Sequence, residues 1–160
     1  MPDADRSLEQ YRVLMSYLQY ENSAYWMRAN YFLLANSIVF GFTIRVVTSA
    51  ASLREPTSVA AIAVCSVAGF ILVRLWWKAL EAGAYWCDRW EDLLRQIEPS
   101  AFGPLAVLRD IDNHLEQPPI RRARSVARAT VLLFVGLWTL SSLVVILTTT
   151  LSFASRAGGR

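Results

Sequence analysis

Residues 58–77 read SVAAIAVCSVAGFILVRLWW, and this stretch decides the fold. It has the length of about 20 apolar residues that a helix needs to cross a hydrocarbon core of about 30 Å. Two further stretches reach that length, YFLLANSIVFGFTIRVVTS at 31–49 and VARATVLLFVGLWTLSSLVVILTTTL at 126–151. None alternates polar and apolar residues, and lipid offers an open sheet edge no hydrogen bonds. The sequence therefore predicts an all-α integral membrane protein with three transmembrane helices.

The composition supports a membrane protein. Of the 160 residues, 54% are apolar and 18% are charged, against about 25% charged in a typical globular domain. This excludes a disordered chain and argues against a water-soluble monomer. The net charge of +3 is too small to indicate a nucleic-acid partner.

Lysine and arginine are distributed unevenly about the spans, and such residues are retained on the cytoplasmic side. Four of them lie at the end of span one, in the turn after it or beyond span three: Arg45, Arg54, Arg156 and Arg160. The other twelve lie on the opposite side of the spans: Arg6, Arg12, Arg28, Arg74, Lys78, Arg89, Arg95, Arg109, Arg121, Arg122, Arg124 and Arg128. We expect a multi-pass membrane protein in which residues 1–30 and 78–126 are cytoplasmic and the tail at 152–160 is external. Thirty mostly amphipathic residues precede span one, so we expect no cleaved signal peptide.

The cytoplasmic parts are predicted to be helical extensions of the spans. Apolar residues recur at helical spacing before span one, and again after span two. The second extension is expected to stop at Glu98-Pro99, with a short helix after Gly103-Pro104. Its apolar face, with Trp86, Trp90 and Leu94, is more than one hairpin can cover, which predicts a homo-oligomer that packs through this face.

Small and polar residues within the spans have two interpretations. On span one they share one side of the helix, and on span two they are spaced by four; they are Asn30, Ser37, Gly41, Arg45, Cys65 and Gly69. Small residues let helices pack closely, within a chain or between copies. Polar residues in a span also tend to face a cavity, so the same positions are candidates for lining a pore.

An arginine cluster precedes span three and consists of Arg121, Arg122, Arg124 and Arg128. We interpret it as a topology signal whose members contact anionic lipid headgroups.

Few residues suggest catalysis. The sequence has no phosphate loop, no Cys-x-x-Cys and no histidine pair, so we expect no metal site, no cofactor and no enzyme activity. The spacing from Arg109 to His114 resembles the ribonuclease motif of HEPN domains. A solvated helix face explains the same spacing, and a membrane-tethered ribonuclease remains a distant alternative.

Two segments carry a resemblance to a known family. The entry to span one, with WMRANYF at 26–32, and the exit from span two, GFILVRLW at 69–76 followed by LRQIE at 94–98, are similar to the RipA family of octameric bacterial membrane proteins. The resemblance implies an inner-membrane homo-oligomer, an octamer, in a group linked to stress adaptation. It extends to the membrane accessory proteins of RNA-targeting CRISPR systems, which form pores.

The leading hypothesis is a homo-oligomeric pore or channel-like assembly linked to a stress or phage-defence response. The alternative is a membrane scaffold that conducts nothing and recruits a cytoplasmic protein partner through residues 78–126.

Overall fold

The protein consists of three long helices. The computed structural model describes residues 2–49, 56–103 and 119–157. Its helices are α1 (Pro2–Thr48), α2 (Pro56–Phe102) and α3 (Pro119–Ala157). Among the described residues only Ser49 and Gly103 lie outside an α-helix, and none is in a strand. The all-α prediction is therefore confirmed.

Proline and glycine define the helix ends. Each helix begins at a proline, where the missing N–H is not needed and the fixed φ suits a first helical residue. After Phe102, Gly103 has a φ of 57°, a left-handed conformation that commonly follows the last turn of a helix and that glycine adopts without strain.

The predicted stop of the second helix at Glu98-Pro99 is wrong. α2 passes through Pro99 and continues to Phe102. The ring of Pro99 removes one backbone N–H and crowds the carbonyl of Arg95, one turn earlier. Because Pro99 lies in the last turn, this affects a single hydrogen bond, and Gly103 ends the helix instead. The short helix predicted after Gly103-Pro104 lies outside the described residues.

All three helices are long and apolar enough to cross a membrane. α1 and α2 each have 47 residues, or about 70 Å at 1.5 Å per residue, so both must extend well beyond a hydrocarbon core of about 30 Å. Only 11% to 22% of the residues in their most apolar windows are buried. The remaining apolar side chains face outward, as a lipid solvent requires.

Buried positions on α2 alternate in steps of four and three. From the start of the stripe they are Ile62, Ser66, Gly69, Val73, Trp76, Leu80, Gly83 and Cys87; Ala84 beside Gly83 is also buried, and the pattern resumes at Leu94 and Glu98. This is the spacing of a coiled-coil seam. On α3, the buried Ala127, Val131, Phe134 and Trp138 follow the same rule. One stripe of α2 and one of α3 are thus used for packing within the chain.

The helices form two compact units. Met1–Ala29 and Lys78–Arg128 make up one, which we call the extension unit, and Asn30–Trp77 and Ala129–Arg160 make up the other, the span unit. The segments predicted to cross the membrane lie in the span unit, apart from the first residues of span three.

Candidate functional site

The polar stripe predicted on α1 faces away from its own chain. Asn30, Ser37, Gly41 and Arg45 are all exposed, and a Cβ added at Gly41 would meet no atom within 4 Å. The Ser37 hydroxyl donates a hydrogen bond to the backbone carbonyl of Leu33 (2.8 Å), so it needs no further partner. These residues do not pack against the other helices of the span unit. Their role in a pore or between copies stays a prediction.

Arg45 is the charged member of this stripe. It lies in the last turn of α1 and forms no ion pair with any residue that the structure describes. Its backbone carbonyl accepts a hydrogen bond from Ser49 Oγ (2.9 Å), but its guanidinium is exposed. A long side chain at a span end can reach the aqueous boundary, so this cation is available to water, lipid phosphate or a lumen.

The inward face of α1 carries a different polar residue, Asn36. It is fully buried. Its side-chain amide donates to the carbonyl of Phe32 (2.9 Å), and its Oδ1 accepts a hydrogen bond from Nε1 of Trp138 on α3 (3.2 Å). Because both polar groups are satisfied, the pair can exist within a membrane without water. Asn36 was not among the predicted site residues.

Gly69 on α2 packs against the same tryptophan. A Cβ added at Gly69 would overlap the Trp138 indole, so only glycine lets that ring approach the helix this closely. Phe40 of α1 meets Trp138 edge-on, with ring centroids 5.3 Å apart. We call Asn36, Gly69 and Trp138 the span lock. Cys65, also predicted here, is half-buried and carries a free thiol.

The chain can be placed among known proteins at this point. The sequence profile of the Octameric membrane protein family (8xMP) matches residues 8–149. The chain belongs to this family. No curated protein and no solved structure matches it. Membership confirms the predicted octameric membrane family, and with the three spans it makes the chain one subunit of an integral membrane homo-oligomer.

As an 8xMP subunit, the chain must present surfaces to its copies. The extension unit has an exposed surface of aromatic side chains. Tyr17 stacks on Trp90 at a centroid distance of 5.3 Å, and Trp86 stacks on Trp90 at 6.3 Å. We call these three residues and Tyr85 the aromatic surface. About half of Tyr17 and Trp86 remains exposed. Leu94, predicted with them as an oligomer contact, is fully buried in its own chain and is not accessible to a copy.

The predicted headgroup cluster is only partly on the surface. Arg124 is buried and forms ion pairs with Asp88 and, at 3.3 Å, with Glu91. It therefore ties α3 to α2 and is not a free headgroup ligand. Arg128 is exposed and lines a cleft with Ala84, Asp88 and Ser125. The side chains of Arg121 and Arg122 lie outside the described residues.

Burial and charged neighbours shift the pKa values of Arg124 and Cys87 in the extension unit. Burial acts to lower the pKa of Arg124, but the hydrogen bond and charge of Asp88 outweigh it, and the net pKa is raised. Burial raises the pKa of the Cys87 thiol, with Arg124 opposing that shift. Arg124 therefore remains charged and Cys87 remains a neutral, free thiol.

No catalytic arrangement emerges from the part of the chain that the structure covers. It contains no group of three His, Cys, Asp or Glu side chains suited to a metal ion. The Arg109 and His114 pair of the ribonuclease alternative lies outside the described residues.

Two signals in the sequence point to the residues that were missed. An asparagine inside an apolar run, as at Asn36, must find a partner or a cavity, and a Trp in the middle of span three has an N–H that needs an acceptor. An acceptor that needs a donor and a donor that needs an acceptor, both within spans, indicate that Asn36 and Trp138 are partners. The acids that pair with Arg124 carry no comparable signal, because the extension has several exposed carboxylates.

Proposed function

We propose that the octamer encloses a passage through the membrane, lined by α1. The observation that supports this is the outward polar stripe of Asn30, Ser37, Gly41 and Arg45. Polar and charged side chains in a span are costly against lipid and tend to face an interior or a cavity. In an octamer each such face occurs eight times around the symmetry axis. A lumen would solvate the exposed Asn30 amide and Arg45 guanidinium, and the small Ser37 and Gly41 on the same face would leave it open.

Arg45 gives this passage its selectivity. Eight copies of the exposed Arg45 guanidinium at one level would form a ring of positive charge, and such rings favour anions. We propose that the protein is not an enzyme. Its effect is a change in membrane permeability, in a response to stress or to phage infection. The similarity to pore-forming accessory proteins supports a role in such a response. Phage challenge of expressing and non-expressing cells tests this role.

Reversal potentials measured in planar bilayers under a KCl gradient test the passage. Purified wild-type octamer is expected to conduct with anion preference, Arg45→Gln to conduct with weaker preference, and Arg45→Glu to prefer cations. Arg12→Glu is the matched control, since Arg12 is an exposed arginine of α1 outside the span. A silent wild-type protein at every voltage and pH contradicts the pore. Conduction with an unchanged reversal potential in Arg45→Glu removes Arg45 from the lumen.

The location and orientation are proposed with it. Support comes from the twelve Lys and Arg residues on one side of the spans against four on the other. We place the protein in the bacterial inner membrane with residues 1–30 and 78–126 in the cytoplasm. Reporter fusions at the two termini should then give opposite signals, a cytoplasmic one at the N-terminus and an external one at the C-terminus.

The aromatic surface supports a second candidate function. Exposed Trp and Tyr rings are typical of protein contact sites, and in an octamer they serve either a neighbouring copy or another protein. If the chain is a non-conducting scaffold, this surface and residues 78–126 recruit a cytoplasmic partner. Trp86→Ser separates the two: loss of the octamer assigns the surface to copies, whereas an intact octamer that no longer co-purifies a partner assigns it to recruitment.

A further inference from the structure

A groove on the span unit combines an apolar floor with one cation. Val73 on α2 and Val131 on α3 are buried and form the floor, while Phe70 and Leu132 are partly exposed and form the walls. Arg74, Trp77 and Val135 complete the lining, and the groove has a volume of 310 Å³. From Phe70 to Trp77 it follows α2 for about 10 Å at 1.5 Å per residue.

Something apolar has to fill this groove in a bilayer. A water needs two to four polar partners, and an apolar cavity of ~150 Å³ stays dry and admits benzene. This groove is larger than that, and its floor and walls are Val, Phe and Leu. An acyl chain or the side chains of another protein are therefore its suitable occupants.

Arg74 decides between these occupants. It lines the groove one turn before Trp77, is exposed, and forms no ion pair with the described part of the chain. A neighbouring copy would have to bring a carboxylate to this depth, and none of the three predicted spans (31–49, 58–77 and 126–151) contains an Asp or Glu. A lipid phosphate is present at every bilayer surface, and tryptophan prefers the same level.

We propose that this groove binds one anionic phospholipid per subunit. The Arg74 guanidinium donates charge-assisted hydrogen bonds to the phosphate, and the upper part of one acyl chain lies over Val73 and Val131 between Phe70 and Leu132. If the Arg74 side chain only extended to the aqueous boundary, its charge would be solvated, but nothing would fill the apolar groove. This inference is independent of whether the octamer conducts.

Native mass spectrometry of the octamer tests the headgroup contact. Phosphatidylglycerol and phosphatidylcholine with identical acyl chains are offered at equal concentration. The wild type is expected to retain phosphatidylglycerol in preference, and Arg74→Gln to lose about tenfold in its apparent affinity, as expected for one charge-assisted contact. Arg89→Gln, an exposed arginine of α2 outside the span, is the matched control and should behave as the wild type. Equal retention by Arg74→Gln and the wild type overturns the proposal.

A photo-crosslinking amino acid at position 132 identifies the occupant directly. Leu132 is 59% exposed, so the substitution should not disturb the fold. An adduct with the mass of one phospholipid supports the proposal, whereas a covalent dimer shows that a second copy fills the groove and overturns it. Val135→Phe should fill the groove and reduce retention of both lipids; unchanged retention in this variant also overturns the proposal.

Discussion

The span unit and the extension unit each pack an aromatic ring on a glycine of α2, but the two contacts differ in closeness. At Gly69 an added Cβ would overlap the Trp138 indole, whereas at Gly83 it would come within 2.9 Å of a ring carbon of Tyr25. Trp138 is also held by Asn36, while the buried Tyr25 hydroxyl finds no hydrogen-bond partner among the described residues. The span lock is therefore fixed by both shape and hydrogen bonding, and the Tyr25 contact by shape alone.

The units also differ in the charge of their polar contacts. In the span unit two polar contacts between helices are neutral: Asn36 with Trp138 and Ser66 with Ser141. In the extension unit Arg124 pairs with Asp88 and Glu91, and the Asp88 side chain is 57% exposed. A bilayer makes buried charge expensive, whereas water solvates a half-exposed carboxylate. The same three helices thus use a neutral lock in one unit and an ionic contact in the other.

The largest expected effect comes from filling the span lock. Gly69→Leu should lower the free energy of unfolding by about 3 kcal/mol or more, because the added atoms must displace Trp138 from a packed site. Gly83→Leu should cost less, since an added Cβ would meet one Tyr25 ring carbon at 2.9 Å and the end of the flexible Arg28 side chain at 3.3 Å. SDS titration followed by tryptophan fluorescence measures both.

Gly136 is the control for glycine replacement in a span. A Cβ there meets nothing within 4 Å, so Gly136→Ala should leave the unfolding midpoint unchanged or slightly raised. If Gly83→Leu lowers the free energy of unfolding as much as Gly69→Leu does, the two contacts are equally tight. This result would contradict the claim that the ring packs more closely on glycine in the span unit than in the extension unit.

The next effect is the loss of the ionic contact. Arg124→Gln should cost about 1.5–3 kcal/mol, the range for hydrogen bonds to charged groups, because Arg124 is buried and its two acids lose their partner. The loss should shrink at high salt, since the Asp88 side chain is largely exposed. Arg128→Gln, one turn later on α3 and exposed, serves as the reference. Equal losses in the two variants would mean that the Arg124 pairs contribute nothing beyond surface charge.

The spans were predictable from the sequence because length and hydropathy are local properties. The face of α1 that packs against the other helices was not predictable in this way. Ser37 and Asn36 are adjacent, and the predicted stripe took Ser37, whereas the chain buries Asn36. The deciding partner, Trp138, is 102 residues away, and helical periodicity within α1 carries no information about it.

The extension unit shows the same limit with charges. The cluster around Arg124 was predicted to face headgroups because four arginines lie close together in sequence. Arg124 instead meets acids 33 and 36 residues earlier, so the pairing depends on the register of α3 against α2. Pro99 is a related case. The local preference of proline predicts that the helix ends there, but a proline in the last turn of a long helix removes only one backbone hydrogen bond, and α2 continues to Phe102.

The smallest expected effect isolates the hydrogen bond in the span lock. Asn36→Leu leaves the Trp138 Nε1–H without its acceptor, and Trp138→Phe removes the donor while keeping a ring near Gly69. Combined in a double-mutant cycle, they should give a coupling energy of about 0.6 kcal/mol and at most about 1.7 kcal/mol, the range measured for hydrogen bonds between membrane helices.

Thr43→Val supplies the matched cycle for that measurement. Thr43 is also buried on the inward face of α1, but its hydroxyl donates to the Val39 carbonyl of its own helix (2.8 Å), so its coupling to Trp138→Phe should be close to zero. A zero coupling for Asn36 as well would mean that the span lock depends on ring packing alone. The two units would then differ only in how closely a ring approaches a glycine, and the neutral hydrogen bond would be a consequence of burying Trp138 and no longer a source of stability.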